Sequence, residues 1–114
     1  MIRIEATGNL TKDCEMATIG TRTVINFTIA ENKRYKNRQG VQQDKVTYIE
    51  CAYWRDADAE KTKVSEYLKK GTRVLVDGEP DVRVFTKQDG TTVGQLKINV
   101  NRIEIQSALG ISPK

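Results

Sequence analysis

At 114 residues the chain has room for one domain and little more, and its 38% hydrophobic and 30% charged residues strike a globular balance that argues against a disordered chain. No apolar run approaches the roughly 18 residues of a membrane helix. The net charge of +4 mildly favours a polyanionic partner, while the lack of histidine, with Cys14 and Cys51 outside any CxxC pair, argues against a zinc site and against histidine-based catalysis.

In chain order, Ile2, Ile4 and Ala6 alternate ahead of Gly8-Asn9, which reads as a strand and a turn. Residues 22–30, RTVINFTIA, are β-branched and aromatic and predict a second strand. Residues 31–45 have no apolar periodicity and read as a polar, basic loop at the tip of a hairpin. Residues 46–54, VTYIECAYW, predict the third strand. From Asp56 to Lys70 the pattern is helical: Asp56 or Asp58 can cap it, and Val64, Tyr67 and Leu68 recur at i, i+3, i+4. Lys69 and Lys70 suit the negative end of the helix dipole, and Gly71 suits the position just past the helix. A fourth strand follows over residues 73–79, is interrupted at Pro80-Asp81 as at a bulge or edge, and continues over 82–86. Gln88-Asp89-Gly90 signals a hairpin turn, and residues 92–105 predict the last strand. Three strands, one helix and two longer strands are the order of an all-β, five-stranded OB-fold barrel with its helix between strands 3 and 4. Residues 1–106 form that domain, and 107–114 are expected to be a short disordered tail.

Strand parity sorts the third strand into two faces. Ile49, Cys51 and Tyr53 suit a barrel interior, and Tyr48, Glu50, Ala52 and Trp54 share the outside. An exposed Trp and Tyr need something to cover them, and nucleic-acid bases do so whatever their sequence, because every base has a π-face. Tyr35, within the basic NKRYKNR stretch, and Phe85, before Thr86-Lys87, complete a set of four candidate stacking rings. Cations interleave with them: Lys33, Arg34, Lys36 and Arg38 around Tyr35, Arg55 after Trp54, Arg83 and Lys87 flanking Phe85, and Arg73 on the same long hairpin. Such cations would hold phosphates by displacing counterions. Catalytic patterns are lacking: no phosphate-loop or dinucleotide glycine motif is present, and Gly78 and Gly90 read as turn residues. The carboxylates Asp56, Asp58 and Glu60 are read as serving the helix dipole rather than a metal, and no cofactor is expected.

Four stretches in order resemble the bacterial-type single-stranded DNA-binding proteins over residues 2–106: GNLTKDCEM, VINFTIAEN, VTYIECAYW with the following SEYLKKG, and VLVDGEPDVRVFTKQDG. The resemblance implies single-stranded DNA as partner and a homotetramer built from dimers through the first strand. It also implies roles in replication, recombination and repair. The family's stacking positions fall on Tyr35, Tyr48, Trp54 and Phe85. Glu50 departs from a DNA-facing pattern, as an acid between two platforms repels phosphate unless an Arg pairs with it. The sequence ends at Ile111-Ser112-Pro113-Lys114 without the acidic tip of many members, as in a truncated core or a natural short form, so recruitment of enzymes through such a tip is not carried over from the resemblance. The first residues resemble no signal peptide, and a cytoplasmic protein is expected. Two other readings are a dimeric OB-fold accessory of replication restart and an OB-fold protein-interaction module that binds no nucleic acid.

Overall fold

The computed structural model describes residues 1–58 and 62–107. Six strands form it: β1 (Ile4–Leu10), β2 (Glu15–Ile19), β3 (Arg22–Lys36), β4 (Gln42–Asp56), β5 (Arg73–Thr86) and β6 (Thr92–Ser107). Their order is β1-β5-β6-β4-β3-β2, and a further β1–β3 pairing closes the ring. Asn9 and Leu10 of β1 pair with Ala30 and Ile29, and β2 then pairs with Asn26 through Arg22 on the same strand. β1 and β2 are thus two halves of one barrel strand bent at residues 11–14. The result is the expected five-stranded OB barrel, with β4 and β6 parallel and every other pair antiparallel.

Long β-branched runs build this ring because their inward residues meet in one core. Leu10, Ile25, Phe27, Ile29, Ile49, Cys51, Val74, Val76, Ile98 and Val100 are buried together. At roughly 25 cal/mol per Å² of apolar area removed from water, this cluster is the main favourable term of the fold. Burial also pushes the Cys51 thiol up to about 12, with the nearby Glu50 adding to the effect, so it sits here as a neutral apolar group.

Local structure departs from expectation in several places. The helix over residues 56–70 is not formed among the described residues. Asp56 remains in β4, paired with Arg22, and a 3₁₀ turn over Lys63–Tyr67 follows. Only Leu68, fully buried, and Val64, packed against the core, need placing inside, and Tyr67 is exposed. A single turn meets that need. Residues 59–61, with Glu60, lie outside the described residues, as do residues 108–114 of the expected tail.

Gly8-Asn9 is no turn. Gly8 lies within β1 against Val74, where a Cβ would come within 3.0 Å of the Ala30 carbonyl oxygen. Gly78 is no turn residue either. It sits in β5 where the register with β6 shifts, and a Cβ there would fall on the Asn99 carbonyl. The β5 irregularity therefore precedes Pro80 and Asp81, which pair in the ladder with Ile98 and Lys97. The expected loop at 31–45 is mostly ladder: pairing of β3 with β4 continues unbroken to Lys36 and Gln42. Only residues 37–41 turn, held by the Asn37 side chain accepting from the amides of Gln39 and Val41 at 3.0 Å each. No helix among the described residues is long and apolar enough to cross a membrane.

Candidate nucleic-acid interface

Register decides which side chains share a face, since residues directly opposite one another in a ladder point the same way. On β4, Tyr48 lies opposite Ala30 and Trp54 opposite Val24. Both rings are open to solvent, at 59% and 41% exposure. Glu50 and Ala52 lie between them, but Ala52 is only 2% exposed and not an outer residue in practice. It is flanked by Asn26 on β3 and Asn99 on β6, whose larger neighbours cover so small a side chain.

The parallel pairing of β4 with β6 carries this face across the sheet. Glu50 stands in register with Lys97, and Lys97 with Asp81 of β5. Stepping by two from there, Arg83 and Phe85 fall on the same side, opposite Gln95 and Val93. Phe85 is 37% exposed, with the Arg83 guanidinium 5.6 Å from its ring centre. Tyr48, Trp54 and Phe85 therefore occupy one continuous face of β4, β6 and β5, together with Arg83 and Lys97.

Tyr35 does not join them. It lies opposite Gln43, one residue out of phase, on the other face of the β3–β4 ribbon, and is 46% exposed. The ribbon cations divide likewise. Arg34 and Lys36 share the Tyr48 side, and Arg34 pairs with Asp44 at 3.6 Å. Lys33 is on the Tyr35 side, directly opposite Lys45. Arg38 and Lys87 sit exposed in the two hairpin turns.

Arg55 and Arg73 are engaged away from the Tyr48 face. Arg55 has the phase of Tyr53 rather than Trp54, with its guanidinium 5.3 Å from the Tyr53 ring centre and its Nε buried without a hydrogen-bond acceptor. Arg73 donates to Glu31 Oε2 at 2.9 Å and to Asn9 Oδ1 at 2.9 Å. The hydrogen bond from Arg73 to Glu31, with one from Thr7, holds the Glu31 carboxyl below its ordinary range.

Lys12 and Lys97 escaped the sequence reading. Lys12 lies on the bend between β1 and β2, and Lys97 alternates outward between the core-side Leu96 and Ile98. Period-two parity in GQLKINV signals Lys97, whereas nothing local marks Lys12. The combined surface offers exposed rings spaced along β-strands with cations between them. That arrangement can stack planar groups and neutralise a polyanion.

The model of the Single-strand binding protein family matches residues 1–106. A single-stranded DNA-binding protein of Deinococcus radiodurans is 36% identical over 98 residues, covering 85% of this chain and 31% of that protein. Single-stranded DNA-binding protein 2 of Chlorobaculum tepidum is 36% identical over 99 residues, covering 85% of this chain and 65% of its own. This chain thus spans less than two thirds of the length of either relative. The crystal structure of the small single-stranded DNA-binding protein from Streptomyces coelicolor has a TM-score of 0.72 at 22% identity, covering 92% of this chain and 94% of that one. That likeness is one of fold.

Proposed function

This chain belongs to the single-strand binding protein family, and we propose that it binds single-stranded DNA without sequence preference and so protects unwound strands in replication, recombination and repair. The observation that carries the reading is the face shared by Tyr48, Trp54 and Phe85 with Arg83, Lys97, Arg34 and Lys36. Bases stack on the three rings, and the backbone runs along the cations. Tyr35 and Lys33, on the ribbon's other side, take part where the strand crosses the ribbon's edge near its tip, with Arg38 and Lys87 holding phosphates at the two turns. Arg55 and Arg73 are the weaker phosphate candidates, since the Nε of one is buried and the other is bonded to Glu31. The protein acts by binding rather than catalysis, in the cytoplasm, and assembles as a homotetramer.

The test is a titration of intrinsic Trp54 fluorescence with a long poly-dT strand at low and high salt. Saturable quenching that weakens with salt is the expected result. Absence of both quenching and binding in an independent gel assay would favour a protein-interaction module on the same barrel.

A further inference from the structure

A cavity of about 320 Å³ opens on the shared face, beside the three rings rather than beneath them. This is the low end of the size of a small-molecule site, roughly 300 Å³ and upward. Its polar walls come from Lys12, Glu15, Asn26, Thr28, Glu50, Arg83 and Lys97, brought together from five strands and a bend, and Lys12 pairs there with Glu15 at 3.4 Å. The Glu50 carboxylate has no hydrogen bond or ion pair among the described residues, although Lys97 stands in register beside it. The Asn26 amide and the Thr28 hydroxyl make no side-chain hydrogen bond there either.

An acid on a surface that meets a polyanion costs Coulomb energy, unless it meets a donor on the ligand itself. An ionised carboxylate only accepts hydrogen bonds. Cytosine carries a donating amine at the position where thymine carries an accepting carbonyl, so a carboxylate at that edge separates the two bases. Arg83 and Lys97 at the same cavity neutralise the phosphate that accompanies the base, with Lys12 shared between that phosphate and Glu15.

We propose that this cleft seats one nucleotide of the bound strand, its phosphate among Lys12, Arg83 and Lys97 and its base edge at Glu50. The subsite then favours a base with an exocyclic amine, cytosine above all, over thymine. Asn26 and Thr28, each able to donate or accept, complete the base edge. This rests on the single-stranded DNA reading above and adds to it a compositional bias at one subsite, while the stacked positions stay indifferent to sequence.

The experiment measures the affinities of the wild-type protein and Glu50→Gln for dC and dT oligonucleotides of equal length in one buffer. Glutamine keeps the shape but presents both a donor and an acceptor. The dC:dT affinity ratio is expected to fall about fivefold in Glu50→Gln, the lower end of what a hydrogen-bonded base edge discriminates. If both affinities rise together and the ratio is unchanged, Glu50 acts only as a repelling charge and the proposal fails. Lys97→Ala should weaken both oligonucleotides equally and reduce the salt slope by roughly 0.7. Unchanged affinities in that variant would overturn the phosphate half. If the wild-type protein binds neither oligonucleotide, the single-stranded DNA reading itself falls and takes the subsite with it.

Discussion

A carboxylate that is almost fully covered keeps its charge only where a cation reaches it. Asp77 is such a group: it is 5% exposed, and the more open Arg3 donates to it through Nε at 2.8 Å and through a second guanidinium nitrogen. The hydrogen bond from Arg3 holds its carboxyl below the ordinary range, and the amide of Thr91 does the same for Asp89. The folded carboxyls titrate below the unfolded ones. Their stabilisation is therefore complete above the ordinary carboxylate range and lost as pH falls through the depressed folded values. The thermal midpoint should decline below about pH 4. Asp77→Asn should lower the midpoint at neutral pH and make the acid decline shallower; equal slopes in both proteins would remove Asp77 from the account. On the binding face, Trp54→Ala should weaken all single strands about equally, by roughly 1–3 kcal/mol. Filter binding to dT, dC and mixed oligonucleotides checks this, and a loss confined to one sequence would contradict stacking.

At the scale of the element, the β3–β4 ribbon carries five cations between residues 31 and 45 against Glu31 and Asp44, a net +3. Lys33 and Lys45 face each other directly, a like-charge pair that costs stability until an anion lies across it. The ribbon is thus an arm suited to a phosphate backbone. Replacing Lys33, Arg34 and Lys36 together with glutamine should reduce the slope of log affinity against log salt by roughly 2, at about 0.7 per charge for a single strand. Thermal stability should hold or rise slightly as the repulsion goes, and an unchanged salt slope would show that the arm does not track phosphates. The ribbon also shows why its form was hidden in the sequence. Exposed on both faces, it has no apolar alternation to read, and its pairing is set by the buried stretch of β3 and β4 below it and by the Asn37 turn above. The missing helix has a related cause. A single stripe of Val64, Tyr67 and Leu68 fits a helix or one 3₁₀ turn equally, and only the core's need for Leu68 decides.

At the scale of the whole molecule, the barrel leaves β1 with an open edge among the described residues. β1 pairs with β5 along Ile4–Asn9, but with β3 only at Asn9 and Leu10, so its other edge is unpaired over residues 4–8 among the described residues. Unpaired edges invite a further strand. The proposed homotetramer would use this one for its dimer contact. Sedimentation equilibrium should give a mass four times that of the 12.9 kDa chain, with poly-dT saturating at one strand path per tetramer. A dimer would favour the replication-restart accessory reading, and a monomer that still binds DNA would remove assembly from the mechanism.

Most of the barrel's strands and core, and the outward Tyr48 and Trp54, are legible in the chain alone because they are written in period-two alternation and β-branched runs a few residues long; Tyr35 and Phe85 are marked only by their basic neighbours, and β2 over Glu15–Ile19 is not marked at all. Ile49 and Cys51 turn inward, and Tyr48 and Trp54 outward, as parity requires. Which rings share a face emerges only from the closed barrel. Phe85 joins Tyr48 and Trp54 through the parallel register of β4 with β6, a contact between residues far apart in the chain, while Tyr35 is excluded by the phase of an unbroken ladder. The glycines have the same origin. Gly8 and Gly78 are punctuation in the sequence, but in the fold each lies where another backbone runs close, leaving a tight fit for a Cβ at Gly8 and no room for one at Gly78. Local pattern fixes the direction of a side chain within its own strand, and only the closure of the barrel fixes what it faces.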